Sequence, residues 1–194
     1  MKTNIILAGV GGQGILTIAA VLDTAALASN LNIKQSEVHG MSQRGGAVQS
    51  HVRISDKEIF SDLIPLGKAD LIISVEPMEL LRYLPFLKKD GYLVTDSNPF
   101  ENITDYPKLE TLYNEIKAHP NHILIDAKKI AKDLGNSRAT NIVLIGAASS
   151  MLPLSEESLL NAIKSLFERK GERIVKKNIE AFFKGKEIAN EFVS

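Results

Sequence analysis

Hydrophobic and polar residues follow two different rhythms along this chain, and the changes of rhythm outline its elements. An apolar run over residues 4–8 stops at glycines, as a buried parallel strand does. From Ile15 to Ser29 the residues are apolar nearly all round, the texture of a helix laid against a sheet. A second strand is expected over residues 33–38, although Lys34, Gln35, Ser36 and Glu37 make it unusually polar. The period then becomes two. Val48, Ser50, Val52 and Ile54 alternate with Gln49, His51 and Arg53, which predicts a half-exposed antiparallel strand over Ala47–Ser55. Ser55-Asp56-Lys57 offers a turn, after which residues 58–61 are expected to return as the hairpin partner.

Strand–helix alternation resumes beyond the hairpin. A buried strand over residues 70–75 precedes a helix burying Leu80, Leu81, Leu84 and Leu87, and a strand follows over residues 92–95. Residues 96–107, rich in Asn, Asp and Pro, read as a loop. Next come a helix with Leu109, Leu112 and Ile116, a strand over residues 122–125, and a short helix capped by Asp126 and closed at Gly135. Residues 139–151 form an apolar helix whose Gly146, Ala147 and Ala148 suit close packing in the core or a docking surface. Pro153 breaks it, Ser155 caps an amphipathic helix, and a last helix after Gly171 carries Ile174, Ile179, Phe182 and Phe183. The fold class this predicts is α/β: a Rossmann-like, doubly wound, mainly parallel sheet with an inserted antiparallel hairpin and C-terminal helices, in a single domain over residues 1–194.

Composition narrows the chemistry. Hydrophobic residues make up 44% and charged residues 24%, which is enough for a core without staples. Lys plus Arg and Asp plus Glu number 23 each, so no electrostatic case exists for nucleic acid or an acidic membrane surface. No cysteine is present, which excludes a thiolate-held iron–sulfur cluster, a disulfide and a cysteine nucleophile. The opening apolar segment is too short for a signal peptide, and no run approaches the roughly 20 residues of a membrane span. A cytoplasmic location is therefore expected. His39 and His51 lack zinc-ligand spacing, and no metal site is expected.

Two glycine motifs carry what chemistry there is. Gly9-Val10-Gly11-Gly12-Gln13-Gly14 satisfies G-x-G-x-x-G between a strand and a helix. Gly9 would permit a tight turn, Gly11 a ligand close to the backbone, and Gly14 close helix–strand contact, while the amides at the helix start could hold an anion. The same glycines would equally serve a tight turn and nothing more. Glu37 stands near the position of a ribose-binding acid, but an arginine loop follows it rather than a helix, which counts against ordinary NAD binding. That loop, His39-Gly40-Met41-Ser42-Gln43-Arg44-Gly45-Gly46, is dense in hydrogen-bond donors and suits a phosphate, a carboxylate or a partner's backbone.

Gly-Val-Gly-Gly-Gln-Gly at 9–14, Glu-Val-His-Gly-Met-Ser-Gln-Arg-Gly-Gly at 37–46 and Ala-Val-Gln-Ser-His-Val-Arg at 47–53 together resemble the gamma domain of the 2-oxoacid:ferredoxin oxidoreductases. Within that family the chain is most similar to the small (beta) subunits of the indolepyruvate branch. The strand ending at Glu76-Pro77 and the segment Thr140-Asn141-Ile142-Val143-Leu144-Ile145-Gly146-Ala147 fit as well, so the resemblance spans essentially the whole chain.

The resemblance implies oxidative decarboxylation of an aryl pyruvate, with coenzyme A taking the acyl group and ferredoxin the electrons. Thiamine diphosphate and the iron–sulfur clusters would sit on a larger partner subunit, without which this chain is inactive. No cofactor is expected on this chain alone, and no catalytic residue is assigned. Gly9, Gly11, Gly12, Gln13, Gly14, His39, Ser42, Gln43, Arg44 and Gly45 are the expected contacts to coenzyme A or to the shared active site. Two other readings stay open from the residues alone: a self-contained nicotinamide dehydrogenase, and a non-catalytic binding module on the same fold. A subunit of a complex is also expected to show an apolar patch larger than monomers usually tolerate.

Overall fold

The computed structural model describes residues 1–39, 45–101 and 103–193, with His39 and Val193 described by their backbone only. Six strands of these residues form one sheet in the order β2-β3-β1-β4-β5-β6. They are β1 (Lys2–Val10), β2 (Asn32–His39), β3 (Ala47–Ser55), β4 (Ala69–Ser74), β5 (Leu87–Asp96) and β6 (His122–Ile125). β1, β4, β5 and β6 run parallel, whereas β3 is antiparallel to both β1 and β2. The sheet is thus mixed, with its parallel half carrying the expected crossovers.

Among the described residues seven α-helices cover the faces: α1 (Ile15–Ala28), α2 (Pro77–Arg82), α3 (Leu109–Lys117), α4 (Ala127–Asp133), α5 (Thr140–Ala148), α6 (Glu156–Phe167) and α7 (Glu172–Val193). Ile5, Leu7, Leu71, Ile73 and Val94 face a large core shared with α1, α5, α6 and α7. Ile6, Ala8, Ile72 and Leu93 face a smaller one with Leu80 of α2 and Ile116 of α3. The continuous apolar character of β1 and β4 follows from this burial on both faces. Asp126 and Ser155 cap α4 and α6, accepting the amides of Lys129 and Ser158. The helix after β4 stops at Arg82, and a 3-10 turn at Leu84–Phe86 leads directly into β5. Pro85 forbids a longer helix there.

The hairpin is built differently from the sequence expectation. Its partners are β2 and β3, with Ile33 opposite Ile54 and Val38 opposite Gln49. Residues 58–61 form no strand; they belong to a loop lying over β3. The period-two pattern of β3 is real, but its polar face is buried rather than solvated. His51 and Arg53 are 4% and 6% exposed. Arg53 donates to Asn4 Oδ1 at 3.0 Å and to the carbonyls of Ser61 and Leu63 at 2.6 and 3.0 Å. His51 Nδ1 accepts the Ile64 amide at 2.9 Å. Carbonyls that a hairpin would place in a ladder are spent on these side chains instead. The same loop shows Phe60, Leu63 and Leu66 to solvent.

Burial, opposed by Asp62 and reinforced by Arg53, holds the His51 imidazole below its ordinary range. Its neutral form is the one that can accept the Ile64 amide. Between the folded and unfolded pKa values the unfolded chain binds more protons, so stability rises with pH in that window. The contribution is complete above the unfolded value of about 6.5 and is lost as pH falls below it. On lowering the pH from about 7.5 to about 5.5, the wild type is expected to lose more stability than His51→Gln, whose Oε1 can accept the same amide. Urea midpoints at both pH values measure this, and equal losses in the two proteins would remove His51 as the source.

α5 is core, not a docking surface: every residue from Asn141 to Ala148 is buried. A Cβ on Gly146 would lie 2.0 Å from the Phe182 carbonyl oxygen of α7, and one on Gly185 of α7 would lie 2.0 Å from the Val143 carbonyl oxygen of α5. Each helix backbone rests on the other's glycine.

Candidate functional site

The carboxyl end of β1 is where the two glycine motifs meet. The Gly11 amide donates to the Gly46 carbonyl at 2.8 Å, so the end of the arginine loop is stitched to the first glycine turn. Gly9 lies at a close approach, since a Cβ there would come within 2.4 Å of Val75 and 2.8 Å of Ile15. Left-handed backbone falls at Gly12 (φ 99°) and Gly14 (φ 75°), the second of these opening α1 without a side-chain cap.

Gln13 and Asn141 hold this turn in place. Gln13 Oε1 accepts the Val10 amide at 2.7 Å, and its Nε2 reaches the Val75 carbonyl at 3.4 Å. Asn141, at the start of α5, donates from Nδ2 to the carbonyls of Gln13 and Gly14 at 3.0 and 2.8 Å. It occupies the space a Cβ on Gly14 would need. The Gln13 amide turns back to Val10 O. Gly11 and Gln13 amides are therefore committed, while those of Gly12 and Gly14 donate to no backbone acceptor among the described residues. The donors offered to a ligand are fewer than the motif suggests, and they lie at a helix N-terminus where anions are favoured.

These glycines line a cleft of about 270 Å³ with Ile15, Leu16, Glu37 and Val48. Its floor combines backbone donors with an exposed apolar side chain, Leu16. The strand beside β1 is the antiparallel β3, and β2 with Glu37 stands one place further out. An ordinary dinucleotide fold puts the acid-bearing strand next to β1. Gly45 adopts φ 76°, and the backbone of His39 pairs with Val48. Ser42, Gln43 and Arg44, expected contacts of this cleft, lie outside the described residues.

Polar residues that the motif reading missed cluster on the other side of the glycine turn. Glu76, fully buried, caps α2 by accepting the Glu79 amide at 2.7 Å, and also accepts the Tyr106 hydroxyl and the Phe100 amide. Burial, with the Glu76 hydrogen bond and charge, pushes the Tyr106 phenol well above its usual range. The loop after β5 is thereby tied to the end of β4. Asp96 ends β5, and burial raises its carboxyl above the ordinary range despite bonds from Asn98 and Ala127. A carboxylate closing a buried strand, followed by Asn98-Pro99, was the available signal. Among the described residues no group of three or more His, Asp or Glu is placed to hold a metal ion.

The family model for pyruvate ferredoxin/flavodoxin oxidoreductase matches residues 4–188. The chain belongs to that family. It is 39% identical to indolepyruvate oxidoreductase subunit IorB of Pyrococcus horikoshii, covering 98% of both chains. The gamma subunit of a keto/oxoacid ferredoxin oxidoreductase from Geobacter sulfurreducens superposes with a TM-score of 0.69 at 26% identity, over 97% of this chain and 99% of that one. The 2-oxoglutarate:ferredoxin oxidoreductase of Magnetococcus marinus, solved with 2-oxoglutarate, coenzyme A and succinyl-CoA, shares the fold with a TM-score of 0.76 at 22% identity. There the match covers 98% of this chain but 31% of the other, so the same fold is one part of a longer polypeptide. As a member of the pyruvate ferredoxin/flavodoxin oxidoreductase family, the chain has the α/β fold read from its sequence. No helix among the described residues is long and apolar enough to cross a membrane.

Proposed function

We propose that this chain is the cluster-free subunit of a cytoplasmic 2-oxoacid:ferredoxin oxidoreductase acting on indolepyruvate or another aryl pyruvate. The observation that carries this reading is the full-length similarity, at 39% identity, to an indolepyruvate oxidoreductase subunit. The reaction converts the 2-oxoacid and coenzyme A to carbon dioxide and the acyl thioester. Two electrons pass to two oxidised ferredoxins and one proton is released. A chain without cysteine has no thiolate for a cluster. On this reading clusters and thiamine diphosphate sit on the larger partner, which also meets ferredoxin.

This chain's own residues hold coenzyme A. Gly12 and Gly14 amides at the start of α1 receive a phosphate, Leu16 flanks the apolar arm, and Arg44 supplies the cation. The stitch from Gly11 to Gly46 supports this reading, because it sets the base of the loop against the glycine turn. β3 beside β1 counts against a nicotinamide site in the usual place.

The test is co-expression with the large subunit and an assay of ferredoxin reduction. Aryl pyruvates are expected to support turnover that depends on coenzyme A. Arg44→Ala is expected to raise KM for coenzyme A about tenfold or more, the worth of one charge-assisted bond, with the melting temperature unchanged. A complex inactive on every aryl pyruvate would overturn the function. An active one with an unchanged KM in Arg44→Ala would overturn only the loop's role.

A further inference from the structure

The glycine turn is a wall with a cleft on either side. On the Gln13 side lies a second cleft of about 250 Å³, at the carboxyl ends of the parallel strands under the loop that follows β5. Open α/β sheets bind ligands at this edge, where successive connections leave to opposite faces. Here α1 leaves β1 toward the larger core and α2 leaves β4 toward the smaller one.

The inner lining offers acceptors. Asp96 is 3% exposed, and all three of its donors, Asn98 N, Asn98 Nδ2 and Ala127 N, converge on Oδ1. No described group donates to Oδ2, which leaves that oxygen open to a donor from a ligand. Asn141, also buried, spends its Nδ2 on the glycine turn, which leaves Oδ1 for a ligand. Asn98 likewise spends its Nδ2, between Asp96 and Asp126. The remaining lining differs in kind: Lys128 supplies a cation, Ser137 a hydroxyl, and half-exposed Phe100 a flat apolar ring. Acceptors within and a cation with an aromatic ring beside them call for a ligand with two hydroxyl donors, an anionic group and a planar face.

We infer that this cleft binds a ribonucleoside 5′-phosphate with free 2′- and 3′-hydroxyls. The ribose hydroxyls donate to Asp96 Oδ2 and Asn141 Oδ1, the base lies against Phe100, and the phosphate meets Lys128. Coenzyme A carries a phosphate on its 3′-oxygen, which the Asp96 carboxylate would repel. The site is thus separate from the one proposed for the acyl carrier, and the inference does not rest on that reading.

Calorimetric titration of the full chain with AMP tests it. Saturable binding is expected in the micromolar-to-millimolar range, with 2′,3′-dideoxy-AMP about tenfold weaker for the two lost hydroxyl bonds. Asp96→Asn keeps Oδ1 as acceptor and replaces Oδ2 by a donor, so it is expected to weaken AMP about tenfold. The exposed substitution Lys128→Gln guards against misfolding as an explanation and is expected to weaken AMP several-fold at an unchanged melting temperature. Absence of AMP binding at millimolar concentration, or equal affinity for the dideoxy compound, would overturn the site. Ribose 5-phosphate binding as tightly as AMP would overturn its assignment to a nucleoside. Coenzyme A displacing AMP with equal affinity would overturn its separation from the acyl-carrier site.

Discussion

Gly146→Ala is expected to destabilise the protein by about 3 kcal/mol or more, lowering the melting temperature by about 6–12 °C for a chain of this length. One added methyl has this effect because its neighbour is backbone. The Cβ would stand 2.0 Å from the Phe182 carbonyl oxygen and 2.8 Å from its carbonyl carbon, and neither can rotate aside. α7 would have to lift from α5, opening the core around Phe182, one of the largest fully buried side chains. Gly185→Ala is the mirror experiment and should behave alike, because its Cβ meets Val143 O at the same distance. Gly67→Ala is the contrast. Its φ of 68° strains an alanine by about 1 kcal/mol, but its surroundings are open. Chemical denaturation of the three variants checks the ranking, and a Gly146→Ala protein as stable as Gly67→Ala would contradict the close crossing.

Arg53→Met is expected to cost about 2–3 kcal/mol and to free the loop between β3 and β4. The substitution keeps most of the apolar stem but removes the guanidinium that holds Asn4 Oδ1 and the carbonyls of Ser61 and Leu63. Asn4 would be left buried with one partner fewer, while the exposed loop carbonyls could turn to water, which is why the cost stays below the sum of three charged bonds. Hydrogen exchange gives the sharper readout. Amides such as that of Ile64 should exchange at least tenfold faster, while those of α5 follow only the global loss of stability. Exchange at Ile64 unchanged from the wild type would mean that His51 alone pins the loop.

The two variants also mark where sequence reading succeeded and where it stopped. Period two over Ala47–Ser55 announced a strand with a polar face, and β3 has one. Periodicity reports which residues share a face, however, and not what covers it. Solvent would have satisfied His51 and Arg53 just as well as the loop carbonyls and amide do. For the same reason residues 58–61 read as a strand: the Ser61 carbonyl takes the Arg53 side chain of β3 in place of a ladder partner, a choice invisible in local composition. The small residues of α5 favoured core over docking surface, and the position of Gly185 on α7 settles it.

At the site, the G-x-G-x-x-G pattern between an apolar run and a helix was enough to place Gly9, Gly11, Gly12, Gln13 and Gly14 at the end of β1, because glycine spacing and strand–helix succession are local properties. It could not say which amides remain free. That depends on Gly46, Val75 and Asn141, which arrive from elsewhere in the chain. Nor could it show that Asp96, Asn98, Lys128 and Asn141 border one cleft, since each looks like an isolated polar residue until the parallel strands bring their carboxyl ends to one edge. The sequence by itself determined most of the elements, the absence of cysteine chemistry and the family, all written in short-range pattern or in residue identity. The tertiary structure alone decided which polar groups are already spent on one another and which are left to meet a ligand, because a hydrogen bond between distant segments leaves no periodic trace in either of them.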